Sequence, residues 1–326
     1  MSPALPARVV VEAPARLHFG FLDLTGSGER RFGSIGVGVE RPRYVVEARP
    51  AARTTIDGED PSELTRVLAA LGPDLVPEGG IAIRVLERIP RHQGLGSGTQ
   101  RDLALGCAIA RLTGRTPTAR ELAARLGRGR RSGVGVATFA EGGLVVDAGV
   151  AAGPGTEVPP VIFQRALPSD WQFVLATPGA DQGVHGAHEE AIFRGLPAMP
   201  ATMAGKISRL VLMQAMPAAV SEDIVGFGEA ITEIQALMGE QFAPYQGGAY
   251  AAERGRIIAE YARKHGAVGV GQSSWGPTVF ALIAGAEAAD ALVVAIQAFI
   301  GEPTLSIWRT SASAHGAIVR VEPERS

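Results

Sequence analysis

The chain has little cysteine and no long hydrophobic run. Its single cysteine, Cys107, cannot form an intrachain disulfide, which excludes a disulfide-stapled scaffold and fits a reducing compartment. The most apolar stretch, residues 288–300, contains Asp290 and is too short to cross a bilayer. The N-terminal residues also lack a signal-peptide pattern. We therefore expect a cytoplasmic protein without a membrane span.

Lysine is also scarce, since only Lys206 and Lys264 occur among 31 basic residues. The net charge is -2 and no long basic block is present, which argues against nucleic acid as a partner. Any recognition of anions must therefore rest on arginine and backbone amides, and the arginine fork suits bidentate contacts with phosphate.

The length and composition predict an α+β protein of two domains. The chain has 326 residues, of which 46% are hydrophobic, enough for a large core. The sequence predicts a capping box at Thr118 and Glu121, a helix at 286–300 and a closing strand at 318–322. A mainly helical pattern begins at residue 181 and continues to about 262. This change in pattern places the domain boundary near residue 180, giving domains of residues 1–180 and 181–326.

A glycine-rich loop at residues 94–100 is the most informative feature. A strand-like alternation at 81–86 precedes it and a strongly apolar helical run follows it. Glycines let backbone amides approach an anion, and a helix N-terminus adds partial positive charge. The order strand, loop, helix predicts a phosphate site, although a tight turn would also need the glycines. The predicted binding residues are Gly94, Leu95, Gly96, Ser97, Gly98, Thr99 and Gln100.

A second polar loop or hairpin spans residues 21–33. Asp23 stands two positions before Thr25-Gly26, and Arg30 and Arg31 follow. This order resembles the loop with which phosphoribosyltransferases surround a ribose 5-phosphate, where the acid binds the ribose hydroxyls. A solvent-exposed hairpin is the alternative interpretation.

Two further segments carry charged groups. Arg128, Arg130 and Arg131 lie among glycines and favour either an anion-binding patch or a solvated helix end. In the run DQGVHGAHEE, residues 181–190, His185, His188 and Glu189 are close enough to share a site for acid–base chemistry. The spacing does not match a zinc motif, and a surface helix start is the alternative.

A third glycine-rich loop, residues 269–278, precedes a strand and contains a tryptophan. Its small polar residues favour backbone close to a ligand with an aromatic wall, whereas a structural turn with a core tryptophan is the alternative. The predicted binding residues here are Gly271, Gln272, Ser273, Ser274 and Trp275.

Together, the segments at 14–23, 94–100 and 269–276 resemble, in order, the three motifs of the GHMP kinase superfamily. The resemblance implies a two-domain α+β fold with a ligand cleft between the domains. Many of these kinases carry an aspartate in the segment S-G-x-D-A-A, which assists proton removal from the substrate. Here the corresponding residue is Gly135, which cannot accept a proton. The chain therefore resembles a kinase scaffold without kinase chemistry.

A more specific resemblance is to the β-ribofuranosylaminobenzene 5′-phosphate synthase family. It rests on LHFGFLDL, GLGSGTQ, GVHGAHEE and GVGQSSWGPT. The family makes the first committed step of methanopterin-type C1-carrier biosynthesis. It implies condensation of 5-phosphoribosyl 1-diphosphate with 4-aminobenzoate, releasing carbon dioxide and diphosphate.

This resemblance also implies roles and partners. Asp23 would engage the ribose hydroxyls or Mg²⁺, while Arg30 or Arg31 would hold phosphate. His185 or Glu189 would orient the aromatic amine, and Trp275 would stack on the ring. A homodimer is expected. Two other classes stay open: an ATP-dependent small-molecule kinase with Asp23 or Glu141 as base, and a non-catalytic ligand sensor.

Overall fold

A long antiparallel hairpin organises the first of two sheets in the computed structural model, which describes residues 6–26, 30–151, 157–178 and 186–323. Its strands are β1, Pro6–Asp23, and β2, Arg30–Ala51. They pair from Val9 opposite Ala48 to Asp23 opposite Phe32. The polar segment at 21–33 is thus the tip of this hairpin.

The remaining strands of the first sheet are Thr55–Asp57 (β3), Gly80–Glu87 (β4), Leu144–Asp147 (β5), Val150–Ala151 (β6), Val161–Arg165 (β7) and Ile318–Pro323 (β12). Five strands lie side by side in the order β12-β1-β2-β4-β3. In addition, β5 and β6 pair with β2, and β7 pairs with β5. The predicted strands at 81–86 and 318–322 are confirmed as β4 and β12.

The second sheet has four strands in the order β11-β8-β10-β9. They are Trp171–Thr177 (β8), Gly269–Gln272 (β9), Val279–Ala284 (β10) and Ser306–Ser311 (β11). β8 lies before residue 180 yet belongs to this sheet, and β12 lies after it yet pairs with β1. The sheets therefore exchange strands across the predicted boundary, which itself stays a prediction.

Ten α-helices and one π-helical segment, Val211–Ala215, complete the described part of the chain. The first four are Pro61–Leu71 (α1), Ser97–Leu112 (α2), Ala119–Arg125 (α3) and Val134–Ala140 (α4). The others are Gly186–Gly195 (α5), Ala201–Leu210 (α6), Met216–Ser221 (α7), Ile224–Gln246 (α8), Glu253–Lys264 (α9) and Ala286–Ile300 (α10). The helix predicted at 286–300 is confirmed.

The helix after the glycine loop, α2, is buried on nearly every side. Its apolar residues join those of β1 and β2 in one continuous core. Helix α3 begins with the predicted capping box, because Thr118 accepts from the Glu121 amide and the Glu121 carboxylate accepts from the Thr118 amide. The rigid packing of α2 fixes the glycine loop at its N-terminus.

Candidate functional site

The three motif segments meet at the carbonyl of Gly94. Arg16 Nη1 donates to this oxygen at 2.5 Å and Ser273 Oγ donates to it at 2.7 Å. The amide of Arg16 also donates to the carbonyl of Leu95. On the other side, the His18 amide donates to Ser273 Oγ at 3.0 Å, and the Ser274 amide donates to the His18 carbonyl. Segments about 80 and 255 positions apart in the chain thus form one site.

Two of the loop glycines are required by their surroundings. Gly94 has a φ of +75°, and a Cβ there would lie 2.1 Å from the carbonyl oxygen of Ser273. Gly96 has a φ of +77°, is the N-cap of α2, and has no side chain that caps the helix. A side chain at Gly94 would separate the two loops, so this glycine serves the junction as well as the turn.

On one side, the glycine loop borders a cavity of about 360 Å³ with mixed charge, here called the loop cavity. Its walls include Gly94 to Thr99 and five arginines: Arg16, Arg88, Arg91, Arg101 and Arg128. Arg91 pairs with Glu59, Arg101 pairs with Glu63 at 2.8 Å, and Arg128 pairs with Asp102. Trp275 and Tyr44 supply aromatic surface. Much of the positive charge in this cavity is therefore neutralised by neighbouring carboxylates.

On the other side lies a cavity of about 900 Å³, here called the arginine cavity. Six arginines from four parts of the chain line it: Arg16, Arg31, Arg128, Arg130, Arg131 and Arg194. Among the described residues that line it, Glu190 supplies the single carboxylate. Thr99, Arg16, Arg128 and Ser274 border both cavities. The arrangement suits a ligand with several negative charges that extends from one cavity into the other.

A buried carboxylate holds the arginines that border the glycine loop. Asp102, on α2, has no exposed side-chain surface and accepts from Arg66, Arg101 and Arg128 at 2.6–3.0 Å. Burial opposes ionisation, but the charges of Arg128 and Arg101 and the hydrogen bond from Arg66 keep the pKa of Asp102 below its ordinary value. The carboxylate therefore stays ionised and fixes Arg128 beside Gly98.

A second buried carboxylate, Asp147, holds the arginine-rich loop that precedes α4. It accepts hydrogen bonds from Ser34 Oγ at 2.5 Å and from the amides of Gly133 and Gly149 at 2.8 Å. Burial raises the pKa of Asp147, and these hydrogen bonds offset only part of that effect because none of the donors is charged. The hydrogen bonds to Asp147 therefore hold in place the loop that carries Arg128, Arg130 and Arg131.

An aromatic cluster forms one wall of the arginine cavity. The rings of Phe21, Phe32 and Phe193 lie within 5.7–6.2 Å of one another, centre to centre. Phe193 also meets Trp275 edge-on at 5.7 Å, and the Arg131 guanidinium lies 4.2 Å above the Phe193 ring. The cavity therefore offers apolar aromatic surface beside its cations.

The four predicted residues of the hairpin, which are Asp23, Thr25, Arg30 and Arg31, differ in the groups that they contact. Asp23 is half-buried and its Oδ1 accepts from the Gly26 amide at 2.8 Å, while Thr25 Oγ1 accepts from the Met199 amide. Arg30 donates to the carbonyls of residues 148 and 149. Arg31 lines the arginine cavity. Of these four predicted residues, only Arg31 borders a described cavity.

Within the glycine loop, Thr99 borders both cavities, and Gly94, Leu95, Gly96, Ser97 and Gly98 border the loop cavity. Gln100 turns inward: its side chain is fully buried and donates to the carbonyl of Gly135 at 2.8 Å. Its sequence position beside the loop could not reveal this, because the direction depends on α4.

In the third loop, some of the predicted residues serve packing and others border a cavity. β9 already begins at Gly269, and a Cβ on Gly271 would lie 2.3 Å from Gln235 of α8, so Gly271 permits close helix–strand packing. Gln272 donates from its amide to Gln235 and is buried. Ser274 borders both cavities. Trp275 is 3% exposed and stacks near Phe242, so it belongs to the core while it borders the loop cavity.

The acidic helix start is only partly described. His185 lies outside the described residues, and the side chains of His188 and Glu189 do too, so their predicted roles stay predictions. Further along the same helix, Glu190 and Arg194 line the arginine cavity.

Sequence reasoning missed Arg16, His18, Phe193 and Arg194. His18 is 4% exposed, and its amide donates to Ser273 Oγ, which in turn donates to the Gly94 carbonyl. A signal did exist for the first two, because RLHFG interrupts an apolar strand with a cation and an imidazole. Nothing local distinguishes Arg194 from an ordinary surface residue of α5.

Within the ranges that the structure describes, no group of three or more histidine, cysteine, aspartate or glutamate side chains is arranged to hold a metal ion. Across the same residues, none of the helices combines the length and apolar character needed to span a bilayer.

Gly135, which stands where kinases carry an aspartate, borders the arginine cavity. A Cβ there would be 3.3 Å from Thr99, and the carbonyl is occupied by Gln100. Glu141, the other candidate base, is exposed beyond the end of α4. Neither position gives the cavity a carboxylate.

Comparison with solved structures agrees with this fold. The chain superposes on phosphomevalonate kinase from Streptococcus pneumoniae with a TM-score of 0.70 at 13% identity, covering 93% of this chain and 99% of that one. A homoserine kinase from Cytophaga hutchinsonii gives a TM-score of 0.64 at 19% identity, covering 96% and 98%. At such identities the likeness concerns the fold, which is the expected two-domain α+β fold of GHMP kinases.

Comparison of sequences is more specific. The family described as the GHMP kinases N terminal domain matches residues 63–143, and the one described as GHMP kinases C terminal matches residues 215–301. Beta-ribofuranosylphenol 5′-phosphate synthase from Methanothermobacter thermautotrophicus is 32% identical over 294 residues, covering 84% of this chain and 88% of the relative. The protein of the same name from Archaeoglobus fulgidus is 34% identical over 281 residues, covering 83% and 87%. The chain belongs to the β-ribofuranosylphenol 5′-phosphate synthase family, within the GHMP kinase superfamily.

Proposed function

We propose that this protein is a decarboxylating pentosyltransferase that condenses 5-phosphoribosyl 1-diphosphate with a 4-substituted benzoate, the reaction that leads into methanopterin biosynthesis. The observation that carries the proposal is the arginine cavity, where six arginines face one described carboxylate beside an aromatic wall. Phosphoribosyl diphosphate is strongly anionic at both ends, and the second substrate is an aromatic anion. The cavity volume is within the usual range for small-molecule sites.

The residues suggest how the donor binds. One anionic end would contact the glycine loop at Ser97, Gly98 and Thr99, and the other would extend among the arginines. Arg16 and Arg128 border both cavities and would hold the substrate at its middle. Guanidinium groups that Asp102 and the Gly94 carbonyl already orient would lose little further freedom on binding.

The reaction needs no side-chain nucleophile. The C1–oxygen bond of the ribose breaks and the electron pair leaves with diphosphate, while the ring carbon bearing the carboxylate bonds to C1. The bond to the carboxyl carbon then breaks, returning its electron pair to the ring and releasing carbon dioxide. The cations stabilise the negative charge that develops on the leaving group, which is where electrostatic catalysis has its largest effect.

The substituent opposite the carboxylate is the open detail. The sequence motifs predict 4-aminobenzoate, which gives a ribosyl aminobenzene, whereas the curated relatives are named for a ribosyl phenol. The same chemistry applied to 4-hydroxybenzoate yields the phenol. Both substituents donate electrons to the ring and both carry a hydrogen-bond donor, so both acceptors belong in the assay.

Mg²⁺ stays part of the proposal. Magnesium in such sites is commonly held by one or two carboxylates together with substrate phosphates, and Glu190 would supply one in the cavity. Asp23, the carboxylate predicted for Mg²⁺ from the sequence, lies near the hairpin tip and lines neither cavity. When bound, the ion would neutralise charge on the diphosphate.

We also propose a cytoplasmic homodimer. Size-exclusion chromatography with light scattering would measure the oligomeric state.

The ATP-dependent kinase is the weaker candidate. It requires a base close to the acceptor hydroxyl, yet the cavity has Gly135 at the kinase aspartate position, and Glu141 is exposed and does not line the cavity. A non-catalytic sensor would bind the same anions and release no product.

The experiment is carbon dioxide release from carboxyl-labelled 4-aminobenzoate and 4-hydroxybenzoate, with phosphoribosyl diphosphate, Mg²⁺ and no ATP. Release that depends on both substrates is expected. ATP consumption with an alcohol and no carbon dioxide release would favour the kinase, and tight binding without turnover would favour the sensor. As a control, Arg84→Ala should retain full activity, since Arg84 is exposed and lines neither cavity.

A further inference from the structure

His18 combines burial with an unmatched polar atom. The imidazole is 4% exposed, and its Nε2 has no hydrogen-bond partner among the residues that the structure describes. Buried polar atoms are nearly always paired, because leaving one unpaired weakens the folded state. An exception inside a proposed active site points to a partner supplied by the substrate.

The backbone of His18 is fixed by the third glycine-rich loop, because its amide donates to Ser273 and its carbonyl accepts from Ser274. These contacts leave the imidazole ring free to turn. The ring lies 4.6 Å from the ring of Phe21, centre to centre. His18 borders the arginine cavity and also a second, small cavity of about 20 Å³, enough for about one water molecule. The imidazole therefore stands at the aromatic wall, where an aromatic acid would place its ring.

The imidazole is also neutral. Burial, followed by the charges of Arg16 and Arg131, lowers the pKa of His18 to about 3. A neutral imidazole has one nitrogen that accepts a hydrogen bond. The arginines around it can only donate, so a donor group on the substrate needs an acceptor such as this one.

The proposed reaction creates that need. When the carboxylate-bearing carbon attacks C1, positive charge develops on the opposite substituent, and its O–H or N–H becomes a stronger donor. A neutral acceptor stabilises this charge, whereas an arginine would oppose it. No proton has to leave, because the departing carboxylate returns the electron pair to the ring.

We propose that His18 accepts a hydrogen bond from the hydroxyl or amino group opposite the carboxylate of the aromatic acceptor. The role rests on the proposed function and adds the atom that selects the acceptor. Both 4-hydroxybenzoate and 4-aminobenzoate satisfy it, whereas an acceptor with an ether at this position does not.

The test compares kcat/KM for 4-hydroxybenzoate and 4-methoxybenzoate, which share an electron-donating oxygen but differ in the O–H. The ratio should fall about tenfold in His18→Phe and recover in part in His18→Gln, whose amide oxygen lies near the position of Nε2. His315→Phe, at an exposed position, is the matched control and should leave the ratio unchanged. A folded His18→Phe with an unchanged ratio would overturn the proposal, because a purely structural role lowers both values together.

A measurement on the unaltered protein covers variants that fail to fold. With ¹⁵N-labelled histidine, 4-hydroxybenzoate should shift one neutral imidazole resonance and 4-methoxybenzoate should not. If no neutral imidazole responds, His18 has no such role. Failure of the proposed function is recognised separately, because the unaltered enzyme would then release no carbon dioxide from either acceptor.

Discussion

The two cavities on either side of the glycine loop differ in how their arginines are balanced. In the loop cavity, Arg91 and Arg101 are paired with Glu59 and Glu63. In the arginine cavity, six arginines face one described carboxylate. The loop cavity is lined by five arginines and two glutamates, whereas the arginine cavity is lined by six arginines and one described glutamate, so the arginine cavity has the greater excess of positive charge to attract anions. The difference teaches that charge balance, more than the number of arginines, distinguishes a binding site from a structural network.

The largest effect should come from the buried acid that serves both cavities. Asp102→Asn leaves three arginines around a neutral amide, and the free energy of unfolding should fall by about 3 kcal/mol, as for broken buried ion pairs. Asp290→Asn is the control, because its exposed bridge to Arg309 should contribute less than about 1 kcal/mol. Urea titration measures both. Equal small losses would mean that the Asp102 network is not a structural unit.

Next comes a direct contrast between the cavities. Arg131→Ala should lower kcat/KM for phosphoribosyl diphosphate by about 10- to 100-fold, the usual range for a lost charge-assisted hydrogen bond. Arg91→Ala, in the loop cavity, should lower it less, because Arg91 does not line the arginine cavity. Steady-state kinetics decides. A larger loss for Arg91→Ala would reverse the assignment of the two cavities.

The junction between the loops can be tested with a glycine pair. Gly94→Ala combines a φ of +75° with a Cβ placed 2.1 Å from the Ser273 carbonyl, whereas Gly114→Ala has a φ of +73° with open space around it. Both lose backbone freedom, but only the first forces the loops apart. Gly94→Ala should destabilise the protein by about 1–3 kcal/mol more than Gly114→Ala in thermal unfolding. Equal values would show that only the backbone conformation matters at Gly94.

The smallest effects are in the pH dependence of the two buried acids. The pKa of Asp102 is lowered in the folded protein, so its contribution to stability is complete above about pH 4 and is lost as the pH falls through the folded pKa. The pKa of Asp147 is raised, so its contribution declines as the pH rises from the ordinary value to the folded one. The differences in unfolding free energy between wild type and Asp102→Asn and between wild type and Asp147→Asn should therefore have opposite pH slopes. Slopes of the same sign would contradict the assigned environments.

Much of the local structure follows from neighbouring residues. The strand, glycine loop and helix around residues 81–112 are predicted by alternation, glycine spacing and apolar periodicity, and the structure confirms them. The capping box at Thr118 and Glu121 is readable for the same reason, because its partners are three positions apart. The motif order also predicts the family.

The direction in which the side chains of these segments point depends on distant parts of the chain. Gln100 and Arg30 stand in segments that predict anion binding, yet one bonds to the carbonyl of Gly135 and the other to carbonyls beyond β5. Arg194 and His18 were not among the predicted binding residues, yet both line the arginine cavity. None of these outcomes depends on residues close in sequence.

The sequence by itself determined the strand at 81–86, the helix after the glycine loop, the capping box and the family, because each depends on contacts within a few positions or on contiguous motifs. Only the tertiary structure decided the site. The arginines gather because β1 pairs with β2 and because the Gly94 carbonyl joins Arg16 to Ser273. Whether a side chain binds substrate or packs in the core depends on the elements that meet it, and these come from distant parts of the chain.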